Sequence, residues 1–210
     1  MNHTTIWEYF FNFNNNFLNA KKKLVEQAQK ALYSVYYKIR NMNIPLDLQL
    51  KIVDTLVSSI LLYACEVIEF DKNDNIEKVH LQFLKNILRV RTTTPNYLVN
   101  GELGRFPLAI DIKGRMLSFW NKLISSNKFS SKIARLLYNM NINGTKGFKW
   151  ITFVKSTFDE IGLSFMYSDQ QYVSADWLQT YAKQILRDQF IHKMVFCSGK
   201  YVKGIIIYVI

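Results

Sequence analysis

From Ala20 to Arg40, apolar residues return at intervals of three and four: Leu24, Ala28, Ala31, Val35 and Ile39 share one side, with Lys23, Lys30 and Lys38 opposite. That interval matches the turn of an α-helix, about 3.6 residues, and not the two-residue alternation of a strand. The pattern recurs downstream. After Pro45, which suits a helix start, residues 46–68 are apolar almost all round through Leu50, Val53, Leu56, Val57, Ile60, Leu61, Ala64 and Val67, as expected of a central helix. Ile76, Val79, Phe83, Ile87 and Val90 define a third helix over 76–90, and Ile112, Met116, Phe119 and Leu123 a fourth. Shorter helices fit 130–140 and 148–160. Ser174 can cap a last helix, whose Leu178, Tyr181, Ala182 and Ile185 share a face down to about Lys193.

Only 8 Gly and 3 Pro punctuate the 210 residues, too few for a turn-rich sandwich or barrel. The expected fold is therefore mainly α, a multi-helix bundle-like assembly. Residues 1–19, where aromatics alternate with asparagines, read as an extended segment. Residues 194–210 contain two glycines and then a β-branched run, and read as an irregular or strand-like tail. Between them, 20–92 and 93–193 are expected to form two helical regions, joined through a Pro- and Gly-containing loop at 91–106.

The formal charge is +11, from 27 basic and 16 acidic residues, and the excess grows along the chain: one over residues 1–70, three over 71–120 and seven over 121–210. Such a balance favours a polyanionic partner, nucleic acid first. Its carriers lie in stripes: Lys21, Lys22, Lys23, Lys30 and Lys38 on the first helix, Lys78, Lys85 and Arg89 on the third, and Arg105, Lys113 and Arg115 around the start of the fourth. Cations on adjacent helices would contact phosphates, giving affinity and register without base specificity. An anionic membrane attracts the same charges, but the apolar stripes look committed to a core, and no window has the length of a membrane span. Cys65 and Cys197 do not form a disulfide framework, which fits a reducing, intracellular setting, cytoplasmic or nuclear.

Catalytic chemistry finds no footing in these residues. Two-metal nucleotidyl transfer needs carboxylates converging on cations about 4 Å apart. No paired-aspartate hairpin occurs, and Asp54, Glu66 and Glu69 are expected on one helix. Asp71, Asn73 and Asn75 begin like a calcium loop, but Ile76 stands where glycine is needed and Gln82 where the bidentate Glu belongs. His3, His80 and His192 lack ligand-spaced partners; His80 reads as a satisfied core histidine. Glu66, in apolar surroundings, needs a counter-ion, expected from Arg89, Arg91 or Arg105.

Four stretches together resemble a known family. FNNNFLNAKKKLVEQAQKALYSV, LLYACEVIEF, TPNYLVNGELGRFPL and LRDQFIHK, in that order over residues 13–193, are similar to the region following the catalytic palm in reverse transcriptases of non-LTR (LINE-like) retrotransposons. The resemblance implies the thumb and post-thumb of an RNA-directed DNA polymerase, a part that packs on the palm and holds an RNA–DNA hybrid or duplex without performing catalysis. It makes residues 1–19 a remnant of the palm edge and 20–92 thumb-like, with the missing palm as partner. It implies no cofactor here, Mg2+ being expected only in a complete parent polymerase. Tyr63, Cys65, Glu66, Glu102, Leu103, Gly104 and Arg105 fall on motif positions to which the resemblance assigns packing. Two departures stand out: Ala64 replaces a usual glycine, and Ile68 a common tryptophan. The atypical tail from Met194 is what a frameshifted or degenerate copy would carry. A stand-alone basic helical nucleic-acid-binding module is the other reading.

Overall fold

A computed structural model of the protein describes residues 18–40, 42–67, 75–126, 129–142 and 149–198, and it is mainly helical, with no strand among the described residues. The first helix, α1 (Leu18–Arg40), buries Leu24, Ala28, Val35 and Ile39 of the expected stripe, together with Ala20 and Leu32, while the expected Ala31 is only half-buried. The second, α2, runs from Leu46–Val53 through a π-helical turn at Asp54–Ser58 to Ser59–Leu61. A π turn holds one extra residue and rotates everything after it about the helix axis. Leu50, Val53, Val57 and Leu61 are buried, whereas Leu56, within that turn, is 49% exposed and Val67, past the helix end, is 38% exposed, against the expectation that both face inward.

This helix also ends earlier than the expected Ile68. Ala64 has φ 53°, in the left-handed region where a right-handed helix cannot continue, and residues 62–67 form turns. Glu66 therefore lies beyond the helix and does not share it with Asp54. Helix α3 (Asn75–Ile87) stops three residues short of the expected end. Arg89 takes φ 54°; its N–H reaches the Asn86 carbonyl and the Val90 N–H the Lys85 carbonyl, a left-handed closure that leaves Val90 exposed, not inward.

The expected loop at 91–106 contains a short helix, α4 (Asn96–Glu102). Seven residues are too few to display a period, but Pro95 immediately precedes it, as Pro45 precedes α2 and Pro107 precedes α5 (Leu108–Ser125). Then come α6 (Phe129–Ile142), α7 (Lys149–Glu160), the unanticipated five-residue α8 (Ser164–Ser168) and α9 (Ala175–Ser198). Helix α9 continues five residues past the expected Lys193, so the start of the supposed irregular tail is helical; the expectations for residues 1–17 and 199–210 lie outside the described residues.

Two hydrophobic cores result. The first joins α1, α2 and α3 and takes in Val99, Leu108 and Ile112, so it extends past residue 92. The second gathers Met116, Leu117 and Trp120 of α5 with Val154 and Phe158 of α7 and Leu178 of α9. Helix α5 serves both. Its Gly114 permits the close crossing with α9: a Cβ there would stand 3.0 Å from both Cγ and Cε of Lys183. Inside the second core, Trp120 meets Phe158 edge-on at 4.7 Å and donates its indole N–H to the Tyr138 hydroxyl at 2.8 Å, satisfying a polar atom that burial would otherwise orphan.

Candidate nucleic-acid interface

Helices α1 and α3 pack side by side because each turns its apolar stripe to the first core. Their flanking faces leave a groove of about 480 Å³ between them, lined by Lys22, Glu26 and Gln29 from α1 and by Asn75, Lys78 and Gln82 from α3. Lys22 and Lys78, expected in separate stripes, thus meet at one groove. Both are exposed. The amides of Gln29, Gln82 and Asn75 add neutral donors; Asn75 Oδ1 accepts from Lys78 Nζ at 3.3 Å. Two ammonium groups and three amides, against the one carboxylate of Glu26, leave the groove a net positive lining that suits phosphate oxygens and needs no base recognition.

The other cations lie elsewhere. Lys23, Lys30 and Lys38 are exposed on α1 outside the groove lining, and Lys21 is half-buried. Lys85 donates to the Thr92 carbonyl at 2.7 Å, and Arg89 occupies the left-handed position closing α3. Arg105 is 2.5 Å from Asp54 in an ion pair, and Lys113 pairs with Glu160. Half-exposed pairs of this kind hold a side chain in place and reduce what it can offer a phosphate.

Of the motif residues at 63, 65, 66 and 102–105, only Cys65 is fully buried. Cys65 is 1% exposed, and its thiol donates to Glu66 Oε2 at 3.7 Å. Burial pushes the thiol up to about 12; the Glu66 carboxylate adds to the rise and Arg115 opposes it. The arginine beside this thiol is thus Arg115, whereas Arg105, one of those expected beside Glu66, turns to Asp54. Tyr63 and Glu102 are exposed. Gly104, at φ 60°, closes α4 and lets the Arg105 N–H reach the Asn100 carbonyl at 2.8 Å, and this aims Arg105 toward α2.

His80 is buried as expected but is not satisfied. Its Nδ1 stands 3.9 Å from Glu77 Oε1, beyond hydrogen-bonding distance, and neither atom has a partner. Among the described residues no three His, Cys, Asp or Glu side chains converge as metal ligands, and no described helix is long and apolar enough to cross a membrane. No family model, curated protein or solved structure matches the chain.

Proposed function

We propose that this chain is the thumb and post-thumb part of a reverse transcriptase of the non-LTR retrotransposon type, holding template and primer and leaving catalysis to a palm. The observation that carries the nucleic-acid half of this reading is the groove between α1 and α3, where Lys22 and Lys78 face the same space. The polymerase half is supported by backbone conformation. The resemblance puts glycine at position 64, and Ala64 holds a left-handed φ of 53°, a conformation glycine adopts without strain. Helix α2 also leaves Leu46, Leu48 and Leu56 partly exposed, apolar surface of the sort a neighbouring palm would cover.

Binding of the full chain to an RNA–DNA hybrid and to duplex DNA over a salt series tests the first half. Saturable binding that weakens steeply with salt, with the hybrid preferred, is expected; affinity indifferent to salt overturns it. Translation of the DNA upstream of Met1 tests the second: a strand–turn–strand segment with paired aspartates is expected, and its absence counts against a polymerase origin. A stand-alone binding module is favoured by one feature, the two well-buried cores; it would bind hybrid and duplex alike.

A further inference from the structure

A second cavity, of about 500 Å³, opens where α2, α3, the α4–α5 connection and α9 meet, and its polar lining is of a different kind from that of the groove. Asp54 and Ser58 enter from the π turn of α2, His80 from α3, Arg105 from the turn after α4, Asp111 from α5 and Arg187 from α9. These six come from parts of the chain far apart in sequence, and most of their charge cancels locally. Asp54 is taken by Arg105 at 2.5 Å, and Asp111 by Lys183 at 2.6 Å. Arg187 remains. Its guanidinium carbon sits 5.0 Å from the centroid of the Phe106 ring, which holds the cation in place, and its Nε is buried with no hydrogen-bond partner. Across the lining, Ser58 is 6% exposed, and its Oγ likewise has no partner.

Buried polar atoms are almost always satisfied, and three on this lining, Arg187 Nε, Ser58 Oγ and His80 Nδ1, have no partner and cost free energy unless something completes them. The first two, a guanidinium N–H and a hydroxyl, are donors of the kind an oxyanion accepts from. The volume lies in the range of pockets that enclose a whole small molecule. π-helical turns, costly in regular helices, occur often at functional sites, and this one supplies two of the six lining groups.

We propose that this cavity binds the phosphate group of a phosphomonoester about the size of a mononucleotide, with Arg187 and Ser58 as the donors that complete it. The group could be offered by a free nucleotide or by the 5′-phosphate end of a nucleic-acid strand. This assignment does not rest on the reading of the α1–α3 groove.

The test is titration of the full chain with inorganic phosphate, with a nucleoside monophosphate and with a 5′-phosphorylated oligonucleotide beside its unphosphorylated twin. Binding is read by calorimetry and by amide NMR shifts. Saturable binding of inorganic phosphate is expected, tighter for the monophosphate, with shifts at Ser58, Gly104 and Arg187. Arg187→Gln should weaken binding of inorganic phosphate and of the monophosphate at least tenfold and Ser58→Ala severalfold, while Lys113→Gln, at a cation outside the cavity lining and the groove, leaves binding of these two small ligands unchanged. Tighter binding of the phosphorylated oligonucleotide than of its unphosphorylated twin, with shifts at Ser58 and Arg187, assigns the site to strand ends; equal binding of the twins beside saturable monophosphate binding assigns it to free nucleotides. The proposal is overturned by non-saturable binding of the small ligands, by shifts confined to α1 and α3, or by equal loss in Lys113→Gln. Because the NMR map is made on the unaltered protein, it decides the matter even where Arg187→Gln does not fold. Failure here with salt-sensitive hybrid binding intact would leave the polymerase reading standing.

Discussion

The indole N–H of Trp150 donates to the main-chain carbonyl of Glu66 at 2.8 Å, joining the first turn of α7 to the turns that follow α2 across 84 positions of sequence. Trp150 belongs to the second core, packed edge-on against Phe119 and Tyr138, while Cys65, beside Glu66, belongs to the first. The bond is thus one of the fastenings between the two cores. Trp150→Phe keeps an aromatic ring but orphans the carbonyl, and should lower stability by about 2 kcal/mol. Chemical denaturation would measure this; a loss under about 0.5 kcal/mol, the size of an ordinary surface substitution, would show the link to be incidental.

Ala64 holds a left-handed backbone that costs a residue with a Cβ roughly 1 kcal/mol. Ala64→Gly should relieve that strain and raise the melting temperature, although the greater freedom of the unfolded chain offsets part of the gain. A lower melting temperature would mean that the Ala64 methyl, which packs against the first core, contributes more than the strain removes.

The Cys65 thiol keeps its proton in the folded protein up to about 12, whereas in the unfolded chain it releases it near 9.0. The folded value is the higher one, so its stabilising contribution is complete below pH 9.0 and is lost as pH rises toward 12, at about 1.4 kcal/mol per pH unit. Denaturant midpoints should therefore fall more steeply above pH 9.0 for the natural protein than for Cys65→Ala. Parallel pH profiles would refute the assignment. In a Cys197→Ser background, the remaining thiol should react with Ellman's reagent only after unfolding.

If the α1–α3 groove holds phosphates, Lys22→Gln with Lys78→Gln removes two contacts, and the slope of log affinity against log salt should shrink by about 2 for duplex DNA. Glu66→Gln is the control, expected to lower stability and to leave this slope alone. An unchanged slope in the double lysine variant would place binding elsewhere on the basic surface.

Much of this protein is local enough to be legible in its residues. The apolar spacing of Leu24, Ala28, Val35 and Ile39 predicts α1, and that of Met116 and Leu123 predicts α5, because a helix of ordinary length must bury one face and so repeats it. Short elements lack that repetition. Helices α4 and α8, of seven and five residues, were hidden for this reason, and the ends of α2 and α3 because Ala64 and Arg89 are left-handed without being glycine. The basic balance was equally plain, but not its use. Whether Lys22 and Lys78 line one groove, whether Arg105 spends its charge on Asp54, and whether Arg187 and Ser58 line one cavity depend on which helix faces are brought together. Periodicity along one helix determines what that helix buries; the side chains it meets come from segments far away in sequence, and only packing in three dimensions decides them.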